Sequence, residues 1–278
     1  MAKIVGTLTT SHVPAIGGAI AKNLQQDPYW KPFFDGFIPV RQWLDEVKPD
    51  VAVVLYNDHG LNFFLDKMPT FAVGAAPEYH NADEGWGIPT LAPTRGDVDL
   101  SWHLINKLVD REFDITTCQE MLVDHAFTIP LKLFWPQSPC PIPAVPVCIN
   151  TVQFPLPSAK RCYAFGQAIG DAIRSWDSDK KVVVIGTGGL SHQLDGERAG
   201  FINKDFDLKF MESMVHDPAW ATQFSIHELV EKTGTQGVEL LMWLAARAAV
   251  PGTLKKVHSN YHIPISNTAS GLMALATV

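Results

Sequence analysis

The chain carries five short runs of apolar, mostly β-branched residues: Lys3 to Leu8, Val51 to Tyr56, Thr70 to Gly74, Ala144 to Asn150 and Lys181 to Gly186. Runs this short and this continuous predict strands buried on both faces, as in a parallel sheet. Amphipathic patterns lie between them. Arg41 to Val47 leads into the turn Lys48-Pro49-Asp50. Asp97 to Arg111 sets Leu100, Leu104 and Leu108 on one stripe, and Ser158 to Trp176 does the same with Cys162, Phe165, Ile169 and Ile173. Asp205 to Val215 and Gln236 to Val250 predict two more helices. The alternation of strand and helix predicts an α/β fold, a single catalytic domain over residues 1–278 with a mainly parallel or mixed sheet flanked by helices. Ala75 to Arg95, rich in Gly and Pro, and Trp135 to Pro143, with four prolines, read as long loops.

Composition narrows the function classes. With 46% hydrophobic and 18% charged residues over 278 positions, the chain has the balance of a globular enzyme. A net charge of −7 argues against a nucleic-acid surface, which needs clustered Lys and Arg. No apolar run is long enough to span a membrane, and the start, Met1-Ala2-Lys3-Ile4-Val5-Gly6, reads as a first strand and not as a signal peptide. Cys118, Cys140, Cys148 and Cys162 form no C-x-x-C pair, so reduced thiols in a cytoplasmic protein are expected.

Three histidines follow three of the predicted strands. They are His12 in Thr9-Thr10-Ser11-His12, His59 in Tyr56-Asn57-Asp58-His59, and His192 after Gly186-Thr187-Gly188-Gly189-Leu190-Ser191. The carboxyl ends of strands open onto the ligand crevice of an α/β sheet, so three such imidazoles can converge. Imidazole binds metals and titrates near neutral pH. Each histidine alone reads as well as a packing or surface residue. Glu239 lies at the start of the apolar helix that carries Val238, Leu240, Leu241, Met242, Trp243 and Leu244. A carboxylate there can simply favour the helix N-terminus. In so apolar a setting it would also be costly unless paired or metal-bound. Two histidines and one carboxylate leave positions on an iron for O₂ and a bidentate substrate. The glycines before His192 fail the dinucleotide-loop spacing. His125, in Val123-Asp124-His125, reads as a supporting donor or as a core histidine. His80, His103, His216 and His227 lack a convergent context.

Long motifs run in order from Thr10-Ser11-His12-Val13-Pro14-Ala15 to Tyr261-His262-Ile263-Pro264-Ile265-Ser266-Asn267-Thr268-Ala269. Among those between are Ala82-Asp83-Glu84-Gly85-Trp86-Gly87, Gly188-Gly189-Leu190-Ser191-His192-Gln193 and Gly237-Val238-Glu239-Leu240-Leu241-Met242-Trp243. In these the chain resembles the LigB-type extradiol ring-cleavage dioxygenases, in particular the catalytic β subunits that open protocatechuate at the 4,5 bond. The resemblance implies Fe(II) held by His12, His59 and Glu239, with His192 as acid/base residue. It implies His125 near the substrate hydroxyls, and Ser266 and Asn267 near a substrate carboxylate, although Ser and Asn also serve turns. After His125 the chain reads Ala126-Phe127 where the family has a glycine and a smaller residue, which predicts an altered pocket.

The activity so implied is meta cleavage of a carboxylated catechol with O₂. Protocatechuate would give 4-carboxy-2-hydroxymuconate semialdehyde; gallate, 3-O-methylgallate or an aminophenol are the alternative substrates. A zinc hydrolase built on the same donors and a non-enzymatic interaction module are the readings from other classes. The resemblance also implies a small, mostly helical α subunit that covers the crevice in a hetero-oligomer. The chain stops at Val278, nine residues beyond Ala269, so no fused lid is expected. The loop Ala75 to Arg95, with Tyr79 and Trp86, is expected either to dock that partner or to pack internally.

Overall fold

The computed structural model describes residues 1–85, 88 and 90–278, and of Ile263 and Pro264 only the backbone. The strands are β1 (Lys3–Thr10), β2 (Val51–Tyr56), β3 (Phe71–Gly74), β4 (Glu78–Asn81), β5 (Thr94–Arg95), β6 (Thr116–Cys118), β7 (Leu122–Val123), β8 (Ala144–Ile149), β9 (Lys181–Thr187), β10 (Leu254–Ile265) and β11 (Thr268–Thr277). The helices are α1 (Pro14–Ala21), α2 (Lys31–Asp35), α3 (Ile38–Val47), α4 (Val98–Asp110), α5 (His125–Phe134), α6 (Ala159–Ser175), α7 (Lys204–His216), α8 (Ile226–Thr233) and α9 (Leu240–Ala248).

Eight strands form one mixed sheet in the order β10-β11-β1-β9-β2-β8-β3-β6. Its centre, β1-β9-β2-β8, is parallel throughout. The flanking pairs β1–β11, β10–β11 and β3–β8 are antiparallel. Alternation along a strand explains the two cores. Val51, Val53 and Leu55 of β2 face α4, α6 and α9, whereas Ala52, Val54 and Tyr56 face the opposite layer with α1, α3 and α5. Both faces are covered, which is why these strands read as unbroken apolar runs.

All five predicted strands form, within a residue or two of their expected ends. The loop expected over Ala75 to Arg95 is less irregular than its composition predicts, because it contains the short strands β4 and β5. The helix expected from Gln236 opens as a 3₁₀ turn over Gly237–Glu239 before α9 begins. That helix lies close against the sheet and α6. A Cβ added at Gly166 or Gly170 would come 2.0 Å from the carbonyl oxygen of Ala245 or Ala249. The two glycines therefore set the depth of α9, and with it the position of Glu239.

Candidate active site

The parallel centre of the sheet sends three side chains to one place. His12 leaves the end of β1, His59 the end of β2, and His192 the turn after β9. Glu239 reaches them from the 3₁₀ turn ahead of α9, and it makes no capping bond to that helix. His12 Nε2 lies 3.4 Å from Glu239 Oε2, His59 Nε2 3.7 Å from Oε1, and His192 Nε2 3.9 Å from Oε2. The His125 ring is 4.2 Å from that of His59 and 5.3 Å from that of His12. These residues line a cavity of about 650 Å³, within the usual range for small-molecule sites.

Each imidazole is held through its far nitrogen. His59 Nδ1–H donates to Asp124 Oδ2 at 2.9 Å, and the His59 backbone N–H donates to the same oxygen at 2.9 Å. His125 Nδ1 bonds Glu84 Oε1 at 2.6 Å. The carbonyl of Leu190 accepts from His192 Nδ1 at 2.8 Å, and a carbonyl can only accept, so in the neutral imidazole Nε2 is the bare nitrogen. His12 Nδ1 bonds Thr187 Oγ1 at 3.1 Å. With Thr187 accepting, His12 Nε2 keeps a lone pair, and that buried atom has no hydrogen-bond partner.

Glu239 is 6% exposed, and its carboxylate accepts from Gly189 N–H at 2.9 Å and Asn57 Nδ2–H at 3.3 Å. Burial alone would raise its pKa, but His12, His59 and His192 outweigh it and hold the group well below the carboxylate range. Burial lowers His12. Burial also pulls His59 down, yet Asp124 and Glu239 overcome it and lift this imidazole to about 10. The cluster is an anionic cradle that demands a proton or a metal cation beside His59.

Gly188 is necessary to this arrangement. It has φ +99°, and a Cβ there would fall 2.7 Å from the Glu239 Cβ. Its carbonyl accepts from Trp243 Nε1 at 2.8 Å, which ties the histidine-bearing turn to α9.

The family model described as "Catalytic LigB subunit of aromatic ring-opening dioxygenase" matches residues 6–271. The chain belongs to the LigB family. Among its relatives, gallate dioxygenase of Pseudomonas putida is 36% identical over 66% of this chain and 54% of that protein. The 2,3-dihydroxyphenylpropionate/2,3-dihydroxicinnamic acid 1,2-dioxygenase of Photorhabdus laumondii is 32% identical over 68% of this chain and 56% of its own length. The homologue of the same name in Azotobacter vinelandii is 27% identical over 83% of this chain and 86% of that protein. The chain spans about half the length of the first two of these curated relatives. A solved structure of an uncharacterized Escherichia coli K12 protein shares the fold, with a TM-score of 0.57 at 14% identity over 98% of this chain and 100% of that one.

The LigB site fits a metal on its own chemistry. An orphaned imidazole nitrogen, a second imidazole backed by a carboxylate and a buried charged carboxylate are what a divalent cation requires. The structure brings His12, His59, His125, His192, Glu239 and Ser266 to the cavity wall. Asn267 stands exposed at the turn tip, outside that wall. Ser266 and Asn267 have φ +49° and +62° and form the two-residue turn between β10 and β11. Phe127 is fully buried against Tyr56 and Tyr79 and does not line the cavity, so the expected alteration of the pocket does not arise there.

Tyr79 is 0% exposed, and its hydroxyl accepts from Ala76 N–H, so of the two readings of this loop Tyr79 follows internal packing and not docking. Trp86 lies outside the described residues. Sequence reasoning gave no role to Asp124, Glu84, Asn57 or Thr187, the partners that hold the imidazoles and Glu239. Asp124 directly precedes His125, and that adjacency of acid and histidine was the one available signal. His227, expected to lack context, stacks on Phe154 at the cavity mouth with ring centroids 5.8 Å apart. The four cysteines are free thiols. Among the described residues no helix is long and apolar enough to cross a membrane.

Proposed function

We propose that the chain is the catalytic part of an Fe(II)-dependent extradiol dioxygenase that opens the ring of a carboxylated catechol. The observation that carries this reading is the pairing of two imidazoles with a buried, charged Glu239 beneath a ring-sized cavity. His12, His59 and Glu239 would hold the iron, because Glu239 alone among the candidate donors brings a formal charge to both imidazoles. Fe(II), when bound, supplies Lewis acidity toward the diol and the redox partner that O₂ requires.

The chain's own residues do the rest. His192 presents Nε2 to the cavity while Leu190 fixes its tautomer, so it can take a diol proton and return it later. His125, steadied by Glu84, faces the same space and would contact the substrate hydroxyls. Val13 gives the cavity a buried apolar wall, and Val152, Phe154 and Leu194 add an apolar rim that would exclude water once covered. No Lys or Arg is among the described residues that line the cavity, so neutral donors must meet a substrate carboxylate. Ser266, with Asn267 beside it in the turn, is proposed for that part. Protocatechuate is the proposed substrate; gallate is the second reading, favoured by the 36% identity to a gallate dioxygenase. Exposed Val152, Phe154 and Leu194 at the mouth suit cover by a small helical α subunit.

Glu239→Gln tests the assignment, since it keeps the shape and removes the charge. After anaerobic loading and dialysis the variant should retain little iron and consume no O₂ with either substrate, while the wild type does both. Full iron with normal turnover would sink the ligand set. A wild type that retains zinc and takes up no O₂ turns the reading toward a hydrolase.

A further inference from the structure

Besides His12 Nε2, two more polar atoms of cavity-lining residues lack a partner: Asn57 Oδ1, on a side chain already bonded to Glu239, and Thr151 Oγ1, which stands apart from the metal donors. Thr151 is 6% exposed, lines the cavity, and its Oγ1 has no hydrogen bond. A buried hydroxyl left unpaired is costly, and a fold retains it most readily where a ligand satisfies it.

Its surroundings are built. Thr151 follows β8, which pairs in parallel with β2, the strand that leads into His59, so the two residues leave neighbouring strands at the same edge of the sheet. Asn150 pins the segment: its Oδ1 accepts from Val152 N–H at 3.1 Å and Gln153 N–H at 3.0 Å, and its Nδ2–H donates to Gln153 O at 2.7 Å. Phe154 is anchored against His227. The segment therefore contributes a hydroxyl and two apolar side chains, Val152 and Phe154, to the cavity wall. Ser266 stands at the other end of the row, beyond β1 on the β10–β11 turn. His12, His192 and His59 leave β1, β9 and β2, the strands between these two hydroxyls.

We infer that Thr151 is a specificity-determining residue whose hydroxyl bonds an oxygen substituent of the aromatic ring at the end of the cavity opposite Ser266. The inference rests on the ring-cleavage reading. A third ring hydroxyl and a carboxylate share the needed chemistry, since each accepts from a threonine O–H. A site built to bond a substrate oxygen discriminates strongly against an analogue without it.

The test compares catechol, 3,4-dihydroxybenzoate and 3,4,5-trihydroxybenzoate on the full, Fe(II)-loaded chain. Anaerobic calorimetry gives Kd and O₂ uptake gives KM and kcat. Thr151→Val removes the hydroxyl at constant volume. It should raise Kd and KM on the order of tenfold for a substituted ring, leave catechol within about twofold, and leave kcat nearly unchanged. Thr151→Ser should restore binding, and Thr151→Ala repeats the loss should the valine variant fail to fold. A penalty confined to the trihydroxy acid assigns the third hydroxyl; a penalty on both acids assigns the carboxylate to Thr151 and takes it from Ser266. Equal penalties on all three ligands, or none, overturn the inference. If the wild type neither binds nor turns over any of the three, the ring-cleavage reading fails and the contact falls with it.

Discussion

Two buried aspartates support the site from opposite sides, and they are shifted in opposite directions. Asp124, 1% exposed, accepts from His59; burial would raise it, but His59 and His125 outweigh burial and it stays low. Asp207, 0% exposed, accepts from Ser191 Oγ–H at 2.6 Å, Ser191 N–H at 3.0 Å and Tyr261 O–H at 2.8 Å. There burial wins, and the carboxyl rises to about 6. Three neutral dipoles do not replace the water that Asp207 loses, whereas adjacent imidazoles do so for Asp124. The β2 side of the site is thus an ionic cradle that a cation completes. The β9 side is a scaffold of neutral donors around a carboxyl that keeps its proton only below about pH 6, and it positions the turn bearing His192. The same contrast appears in the imidazoles, since His59 rests on a carboxylate and His192 on a backbone carbonyl.

The sharpest way to break this division is at His192. His192→Phe should keep iron and bind catechol, yet lose about 10²–10⁴-fold in turnover, the usual worth of general acid–base catalysis. Metal analysis beside O₂ uptake checks it, and loss of iron from the folded variant would move His192 to the cradle side. Next in size is the pH dependence of stability through Asp207. Its folded pKa, about 6, lies above the ordinary 3.8, so its contribution is fullest below pH 4 and is lost as pH rises towards 6. About two pKa units correspond to roughly 3 kcal/mol, and Asp207→Asn should flatten that part of the profile in urea melts between pH 4 and 7. An unchanged slope would remove Asp207 from the account.

On the ionic side, Asp124→Asn leaves the shape but takes the charge from behind His59. Metal affinity should fall about 10–100-fold, as for other carboxylates that back a metal-binding histidine. Competition with a chelator measures it, and wild-type affinity would erase the contrast between the two aspartates. Thr187→Val, which removes only a neutral bond to His12, should cost less, on the order of a fewfold to tenfold in the same assay. If it matched Asp124→Asn, charge would not be what distinguishes the two sides.

Much of this could be read along the chain. The unbroken runs at β1, β2, β8 and β9 announce strands buried on both faces, and His12, His59 and His192 follow three of them. Their meeting was legible because the ends of parallel strands share one edge of the sheet. Helices α1 and α5 were not read, and α5 even contains Pro130. Nor was the β10–β11 hairpin, whose turn is Ser266-Asn267 and not a glycine pair. Docking and internal packing both stayed open for Tyr79, because an aromatic in a Gly- and Pro-rich segment fits either until its burial is known.

The sequence by itself determined which strands the chemistry-bearing residues follow, their types, and the apolar setting that makes Glu239 expensive. Local pattern suffices for these, because periodicity and residue type act over a few positions. Only the tertiary structure decided which nitrogen of each imidazole faces the cavity. It also decided which of two aspartates holds its charge into acid, and that Thr151 Oγ1 is left without a partner. Those properties depend on contacts between residues far apart in the chain, such as His59 with Asp124, Asp207 with Tyr261 and Asn57 with Glu239. A pKa or a tautomer is set by what surrounds a group in space, and the chain reveals that only once it is folded.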